Sequence, residues 1–267
     1  MLNNNKSFNG SSKFQKVAEK VAQKSGEILI EKYDKFNRGD VKLKSAHEIV
    51  TKYDLLSEKI ILSEIKKNFP EHAIFSEERG SNKKKSDYLW LIDPIDGTTN
   101  FSMHNPMWSI SIGLAYQGKI IMGIVYAPIL GELFTTTKGK GAFMNGKKIK
   151  VSNINSGKIL NAFCHGNQTK DIKRAIKYYT KQKLNGLDCR QLGSAAIEMS
   201  YVASGSIESI AIPGVNSYDV GAGVLMVREA GGRISDFKGQ EWNLQSKDIL
   251  ASNKKVHKSL LKNLKGI

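Results

Sequence analysis

Residues 90–101 read WLIDPIDGTTNF, and this stretch decides the fold because an apolar run leads into two closely spaced aspartates. The run Tyr88–Ile92 is compact and apolar, which predicts a buried strand that ends at Asp93. Asp96 follows three residues later, so both carboxylates lie at the end of the strand and can converge on one hard cation. Oxygen ligands of this kind suit magnesium or manganese better than zinc. Taken alone, the pair fits an acidic structural turn equally well.

The residues between and after the aspartates indicate what the turn offers to a ligand. Pro94 has no amide hydrogen and stiffens the chain, which favours an exposed carbonyl at Ile95. The amides of Gly97 and Thr98 are then expected to face an anion, as amides do in backbone nests and at helix N-termini. Phosphatases with an aspartyl nucleophile carry their pair at i and i+2, whereas here the spacing is i and i+3. We therefore expect a metal-activated water as nucleophile instead of covalent catalysis.

Hydrophobic periodicity predicts an α/β (α+β) chain with two halves that pack as one body. The first half, residues 1–155, is predicted to hold two helices and then a meandering antiparallel sheet, at 13–33, 54–68, 88–92, 109–115, 119–127 and 132–137. A hairpin or loop is expected between the two helices. In the second half, residues 156–267, strands and helices alternate, at 158–164, 169–183, 194–204, 207–212, 217–230, 233–236 and 248–252. Such alternation is typical of a layered α/β arrangement.

The composition is that of a basic globular protein. The 267 residues carry a formal net charge of +16, and six of the 41 basic residues are arginine. Clustered positive charge attracts nucleic acid, but arginine dominates base recognition, and the lysines are spread along the chain. A lysine-rich surface is therefore the favoured explanation, and a nucleic-acid partner is an alternative that is not favoured.

Nothing in the sequence predicts a membrane partner. No apolar run approaches the about 18 residues that a membrane span needs. Residues 1–15 are polar, lack the apolar core of a signal peptide, and are expected to form a frayed tail. Cys164 and Cys189 have neither metal-type spacing nor a disulfide framework to join. We therefore expect a cytoplasmic protein.

Five segments of the chain follow one another in an informative order. Before residues 90–101 come KSAHEIVTKYD at 44–54, in which valine and threonine precede an aspartate, and the acidic pair Glu77–Glu78. After them come GSAAIEMSYVASG at 193–205, and YDVGAG at 218–223 with EAGG at 229–232. From about residue 14 to the C-terminus, these segments resemble the inositol monophosphatase family, with residues 90–101 and 218–232 matching its two signatures.

The resemblance implies a fold, an activity and a set of site residues. The fold would be a five-layered αβαβα sandwich of the sugar-phosphatase type, assembled as a homodimer. The activity would be hydrolysis of a small soluble phosphate monoester by water activated with two or three Mg²⁺ ions. The implied metal ligands are Glu77, Asp93, the Ile95 carbonyl, Asp96 and Asp219. The implied catalytic residues are Glu77, Thr98 and Asp54. The implied substrate contacts are Gly97, Thr98, Gly193, Ser194, Ala195 and Asp219.

Several of these residues also have a structural interpretation. Asp54, Asp219 and Ser194 each stand at the start of a helical run, so each is also a candidate helix cap. Glu77 and Glu78 fit exposed surface charges as well, although their place beside the other elements favours metal binding.

Other polar residues carry a weaker functional signal. Lys44 matches the family moderately, since the spacing around Glu48 is one residue shorter than usual, and it also fits an ordinary exposed lysine. The five histidines, His47, His72, His104, His165 and His257, show no ligand spacing and are expected at the surface or in the core. Cys164 is expected to be a small buried residue.

Two positions depart from the family pattern. Tyr218 stands where tryptophan is usual, which is a tolerable aromatic exchange. Ile212, seven residues before Asp219, stands where inositol phosphatases place a glutamate that binds substrate hydroxyls. The apolar residue argues against inositol phosphate as the substrate, so histidinol phosphate, fructose 1,6-bisphosphate and 3′-phosphorylated nucleotides remain alternative substrates. Thr99–Asn100 resemble the inositol and histidinol phosphatases of the family more than its nucleotide phosphatases. The rival from another class is a basic nucleic-acid-binding or regulatory protein on the same scaffold.

Overall fold

The computed structural model describes residues 11–155 and 159–267. Residues 1–10 of the predicted polar tail lie outside the described residues, and residues 11–15 belong to a helix that begins at Ser11 and not to the tail. Residues 156–158, which contain the expected junction between the two halves and the first residue of the strand predicted at 158–164, also lie outside the described residues. The division of the chain at residue 155 therefore stays a prediction.

The described residues contain helices close to every predicted position. The helices are α1 (Ser11–Tyr33), α2 (Lys52–Asn68), α3 (Thr98–Ser102), α4 (Thr169–Leu184), α5 (Ala195–Ser204), α6 (Ser217–Glu229) and α7 (His257–Asn263), with a 3-10 turn at Arg38–Asp40. Two of them, α3 and α7, were not predicted. Among the described residues, no helix is both long enough and apolar enough to cross a membrane.

The strands of the described residues form a hairpin and two sheets. They are β1 (Lys42–Ser45), β2 (Glu48–Val50), β3 (Ala73–Ser76), β4 (Gly80–Ser81), β5 (Tyr88–Asp96), β6 (Ser109–Tyr116), β7 (Lys119–Ala127), β8 (Glu132–Thr137), β9 (Gly141–Met144), β10 (Lys147–Ile149), β11 (Leu160–Phe163), β12 (Asp188–Arg190), β13 (Ser209–Pro213), β14 (Arg233–Ser235) and β15 (Asp248–Ser252). β1 and β2 pair as the hairpin expected between the first two helices.

The larger sheet has the order β10-β9-β8-β7-β6-β5-β3-β4 and confirms the predicted antiparallel meander from β5 to β10. Its exception is the parallel pair of β3 and β5, which brings the ends of both strands to one edge. The smaller sheet has the order β12-β11-β13-β15-β14 and is mixed.

The helices and sheets stack in five layers, which confirms the αβαβα sandwich. α1 and α2 cover one face of the larger sheet, and α5 and α6 cover its other face. The smaller sheet packs on the far side of α5 and α6, and α4 and α7 close it from outside. One apolar core joins the larger sheet, through residues such as Leu91, to the smaller sheet, through residues such as Ile210. The stack therefore buries helices between two sheets.

Helix α6 lies unusually close to the larger sheet because glycines face it. A Cβ atom placed on Gly123 would stand 2.7 Å from the carbonyl oxygen of Ala222 in α6. Gly113, the partner of Gly123 in the register of β6 and β7, faces the same residue. This contact fixes the height of α6 above the sheet, and with it the position of Asp219 in the first turn of α6.

Candidate active site

The edge where β3 and β5 end carries the first two predicted ligands. Glu77 follows β3 directly, and its amide donates to the Ile92 carbonyl of β5 at 3.0 Å. The turn after Glu77 is held by Glu58 of α2, whose Oε1 accepts from the amides of Glu78 and Arg79, each at 3.1 Å. The Glu58 side chain is fully buried and also pairs with Arg79 at 3.1 Å. Glu77 is therefore placed beside Asp93 by backbone bonds.

The turn that the sequence predicted after Asp93 is an irregular continuation of β5. The register against β6 shifts between Asp93 and Asp96, and Asp93 Oδ1 accepts from the Ile95 amide at 3.1 Å. Gly97 then adopts a left-handed conformation with φ of 94°. A Cβ there would lie 3.0 Å from the Gly193 carbonyl oxygen, so both the turn and the close approach require glycine.

A hydrogen bond joins Thr98 and Asp54 inside the site. The Thr98 hydroxyl donates to Asp54 Oδ1 at 2.8 Å, with the Ile95 carbonyl as a second acceptor at 3.0 Å. Asp54 is fully buried, and its Oδ2 accepts from the amide and the hydroxyl of Thr51 at 2.7 and 2.6 Å. The N-cap of α2 is Thr51 and not Asp54 as the sequence suggested; Asp54 is the N3 residue of the capping box, and the same carboxylate stands behind Thr98.

Asp96 is bound to the start of α5, a contact that the sequence did not predict. Its carboxylate accepts from the amides of Ala195 and Ala196 at 3.1 and 2.8 Å, and from the hydroxyl of Ser194. Ser194 also caps α5, since its hydroxyl accepts from the Ile197 amide at 3.3 Å. The cap interpretation of Ser194 is confirmed, and its hydroxyl faces Asp96 and not the pocket.

Asp219 combines a capping bond with a place in the pocket. Its Oδ2 accepts from the Asn216 amide at 2.9 Å, which confirms the predicted role at the start of α6. The Asp219 side chain also lines the same pocket as Asp93 and Glu77. One residue therefore caps a helix and points its carboxylate toward the carboxylates on β5.

A pocket joins most of the predicted site residues. Those that line it are Glu77, Asp93, Ile95, Asp96, Gly97, Thr98, Gly193, Ala195 and Asp219. Asp54 lies behind Thr98, and Ser194 lies behind Asp96, so neither reaches the pocket wall. A direct contact between Ser194 and substrate thus does not fit the observed position of its hydroxyl.

Another part of the pocket wall comes from residues that the sequence did not assign to the site. His47, His165 and Cys164 line it, and Cys164, expected to be buried, is half-buried there. Asn167 lies beside them and donates to Glu48 Oε2 at 2.6 Å, which links this wall to the β1–β2 hairpin. No spacing in the sequence identifies these residues, because they meet only when the smaller sheet packs against α5 and α6.

Lys44, on the β1–β2 hairpin, is bound by three carboxylates. Its Nζ lies 2.7 Å from Glu78 Oε1, 3.1 Å from Glu77 Oε1 and 3.5 Å from Glu48 Oε1. Burial acts to lower the pKa of Lys44, but the two acidic neighbours on the 77–78 turn together outweigh burial and leave this pKa raised. Of the two interpretations of Lys44, these three contacts disfavour an ordinary solvated lysine.

The carboxylates of the pocket repel one another in a buried setting. Burial raises the pKa of Asp93 well above its usual range, with further increases from Glu77, Asp96 and Asp219. Burial and the charge of Glu77 likewise raise the pKa of Asp219. Burial also raises the pKa of Glu77 to about 7 and that of Asp96 to about 6, against the effects of Lys44 and of the α5 donors respectively. Nearby positive charge would relieve this repulsion.

The donor set fits a hard divalent cation, although its members are turned to internal partners. The donors are four carboxylates and a backbone carbonyl, and no lysine or arginine of the described residues lines the pocket. Within residues 11–155 and 159–267, however, no three His, Cys, Asp or Glu side chains stand where they could hold one ion. Asp96 is bonded to α5, and Glu77 is bonded to Lys44. The metal ligands therefore stay predictions.

Known proteins are similar to this chain in both sequence and fold. The chain is 36% identical to the Nus factor SuhB of Pasteurella multocida over 248 residues, which cover 92% of this chain and 93% of that protein. It is 34% identical to the inositol-1-monophosphatase of Mesorhizobium japonicum over 259 residues, covering 93% and 95% of the two chains. The crystal structure of the extragenic suppressor protein SuhB from Bartonella henselae superposes with a TM-score of 0.89 at 32% identity, covering 96% and 100% of the chains.

These similarities extend along nearly the whole chain and agree with the signatures at residues 90–101 and 218–232. The sequence model of the inositol monophosphatase family matches residues 11–267. The site described above lies inside that match, and the resemblance inferred from the sequence is confirmed. The protein belongs to the inositol monophosphatase family.

Proposed function

We propose that this protein is a magnesium-dependent phosphatase that hydrolyses a small phosphate monoester. The observation that carries the proposal is the buried Asp54–Thr98 pair, which opens onto a pocket lined by Glu77, Asp93 and Asp219. A hydroxyl whose proton is held by a buried carboxylate has its lone pairs available to accept from a water molecule in the pocket. Relatives named as inositol-1-monophosphatases share the scaffold.

The residues of the pocket divide into a cation-binding group and a phosphate-binding group. Glu77, Asp93, the Ile95 carbonyl, Asp96 and Asp219 would hold magnesium. When bound, magnesium supplies positive charge to the phosphate oxygens and lowers the pKa of the attacking water. Gly97, Thr98 and Gly193, at the turn after β5 and before α5, would contact the phosphate through backbone amides. The Ala195 amide donates to Asp96 at 3.1 Å, so it would reach the phosphate only by leaving that carboxylate.

Thr98 and Asp54 would orient the attacking water and take its proton. Burial raises the pKa of Asp54, which makes its carboxylate a better proton acceptor near neutral pH. The bonds from Thr51 and Thr98 oppose this shift and keep the carboxylate in place. Of the two carboxylates implied as catalytic beside Thr98, the hydrogen bond favours Asp54 over Glu77 as its partner.

The leaving group would meet the wall formed by Cys164, His165, Asn167, Ile212 and Val215. Ile212 and Val215 are each 3% exposed and present apolar surface to the pocket. A wall of this kind offers few acceptors for the hydroxyls of a polyol, so an alcohol with fewer hydroxyls than inositol fits it better. The homodimer and the cytoplasmic location expected from the sequence remain part of the proposal.

Phosphate release tests the proposal directly. The substrates are inositol 1-phosphate, histidinol phosphate, fructose 1,6-bisphosphate and adenosine 3′,5′-bisphosphate, each with magnesium or with EDTA. We expect magnesium-dependent turnover of at least one substrate, lost in Asp93→Asn and kept in the control Asp87→Asn, an exposed aspartate outside the pocket. A folded protein that turns over none of them, or an Asp93→Asn variant with normal turnover, would contradict the proposal.

A basic nucleic-acid-binding or regulatory role is the second candidate. It is favoured by the net charge of +16 and by a relative whose name, Nus factor SuhB, is not that of a hydrolase. Such a role would not need the pocket carboxylates. A salt-dependent RNA or DNA affinity that is equal in the wild type and in Asp93→Asn would support it, and affinity indistinguishable from that of a neutral control protein would remove it.

A further inference from the structure

Lys44 and the carboxylates around it form an internal ion cluster at the rim of the pocket. The Lys44 side chain is 25% exposed, and those of Glu77 and Glu78 are 13% and 4% exposed. Its Nζ contacts one oxygen of Glu77, one of Glu78 and one of Glu48. Glu77 and Glu78 are largely shielded from water, whereas Lys44 and Glu48 are more exposed, so these contacts are screened somewhat less than those of a fully exposed ion pair.

Glu77 belongs both to this cluster and to the wall of the pocket. Its Oε1 is 3.1 Å from the Lys44 ammonium, while the residue lines the same pocket as Asp93 and Asp219. A divalent cation held by Glu77 would have to take this carboxylate from Lys44 or share it with a positive charge a few ångströms away. Like charges at such a distance repel strongly when water is excluded.

The geometry points to Lys44 as a tethered counter-ion that competes with a divalent cation for Glu77. This inference rests on the proposed function, because it assumes that Glu77 is a metal ligand. In the metal-free protein, the ammonium of Lys44 neutralises the acidic 77–78 turn. When a divalent cation binds at Glu77, Lys44 withdraws to Glu78 and Glu48, so cation affinity is lowered at this end of the pocket without being abolished.

Glu78 and Glu48, the other two carboxylates around Lys44, determine how strongly the removal of Lys44 changes cation affinity. Glu78, at 2.7 Å, is closer to the ammonium than Glu77, so Lys44 keeps its shortest ion pair after the exchange. Glu48 is fixed by Asn167 at 2.6 Å and stays within reach. Because Lys44 has this alternative position, we expect its removal to tighten divalent-cation binding by about tenfold, which is far less than the full Coulomb repulsion would give.

Manganese binding measures this effect without relying on catalysis. Mn²⁺ is titrated into the full-length wild type, Lys44→Met, Lys44→Gln and Lys44→Arg, and the free ion is followed by electron paramagnetic resonance. Lys42→Met is the matched control, because Lys42 lies on the same strand and forms no ion pair among the described residues. Circular dichroism establishes that each variant is folded, and thermal unfolding is recorded with and without Mn²⁺.

We expect the Mn²⁺ site that includes Glu77 to bind about tenfold tighter in Lys44→Met and Lys44→Gln, and to be unchanged in Lys44→Arg and Lys42→Met. Without metal, the two neutral variants should melt at a lower temperature, and Mn²⁺ should raise their melting temperature more than that of the wild type. Equal or weaker Mn²⁺ binding by the folded neutral variants would overturn the inference. If neither the wild type nor Asp93→Asn bound Mn²⁺, the proposed metal dependence would be wrong, and the inference that rests on it would be wrong as well.

Discussion

Replacing Asp54 by asparagine tests the buried pair of Asp54 and Thr98, the contact on which the proposed proton transfer depends. The substitution keeps the shape of the side chain but removes the negative charge that accepts from Thr98 and Thr51. An asparagine whose oxygen faces Thr51 turns its amide group toward Thr98. The Thr98 hydroxyl must then donate to the Ile95 carbonyl, 3.0 Å away, and loses its proton acceptor.

The magnitude follows from the role of the lost group. A positioned general base contributes about 10²- to 10⁴-fold to kcat, or about 3 to 5 kcal/mol in the activation barrier. The effect on folding should be smaller, because removal of a buried charge partly offsets the loss of its hydrogen bonds. We expect the free energy of unfolding to change by no more than about 2 kcal/mol.

The assay compares kcat for magnesium-dependent phosphate release with the free energy of unfolding from urea titration. The matched control is Thr51→Ala, which removes the hydroxyl bond to Asp54 Oδ2 at 2.6 Å but leaves the Thr98 side of the carboxylate intact. Loss of this cap should cost about 1 kcal/mol of stability and should change kcat little.

The comparison between the two variants decides the outcome. If Asp54→Asn keeps kcat within about threefold of the wild type, Asp54 does not accept the proton, and Thr98 must act with another base. If Thr51→Ala loses kcat as strongly as Asp54→Asn, the carboxylate acts through the position of α2 and not through Thr98.

Three further changes test other parts of the structure. His257 is fully buried between two serine hydroxyls and its pKa is lowered to about 4 by burial, so between pH 6.5 and 4 the unfolded chain binds a proton that the folded chain does not. The free energy of unfolding should therefore fall by about 1.4 kcal/mol for each pH unit below 6.5 in this range. In urea titrations at pH 7 and 5, this free energy should fall less in His257→Gln than in the wild type. An equal fall in both proteins would contradict the lowered pKa of His257. Gly123→Ala places a methyl group 2.7 Å from the Ala222 carbonyl oxygen and should lower the free energy of unfolding by about 1 to 3 kcal/mol. Gly113→Ala, whose methyl group would lie 3.3 Å from the Ala222 amide nitrogen, should lower it less. A larger loss for Gly113→Ala in urea titration would refute the close contact at Gly123. Ile212→Glu should raise kcat/KM for inositol 1-phosphate by roughly tenfold relative to the best wild-type substrate, and an unchanged ratio in the folded variant would remove Ile212 from the leaving-group wall.

Local features of the site could be predicted because a few residues determine them. The strand before Asp93 follows from an apolar run, and the left-handed turn after Asp96 follows from a glycine at 97. The caps at Asp54, Ser194 and Asp219 involve partners within three residues, so their spacing is visible in the sequence. The layered α/β fold was predictable for the same reason, since periodicity marks each helix and strand separately.

Two predicted boundaries differ from the observed ones, the first because of a tertiary contact and the second because of a local helix cap. β5 continues to Asp96, beyond the predicted end of its strand at residue 92, because β6 supplies a partner strand across the turn. α2 begins at Lys52 instead of residue 54, because Thr51 and Asp54 close a capping box ahead of the apolar pattern.

The sequence by itself determined the family, five of the seven helices among the described residues, and the four predicted carboxylates that line the pocket. The tertiary structure alone decided what each group faces: Thr98 finds Asp54 across 44 positions of the chain, Asp96 finds α5, and Lys44 finds Glu77 across 33 positions. These contacts depend on the distance between whole layers, which the packing of α6 on Gly123 helps to set. The spacing of residues along a chain fixes backbone geometry over one turn, whereas the packing of helices on sheets fixes which distant side chains meet.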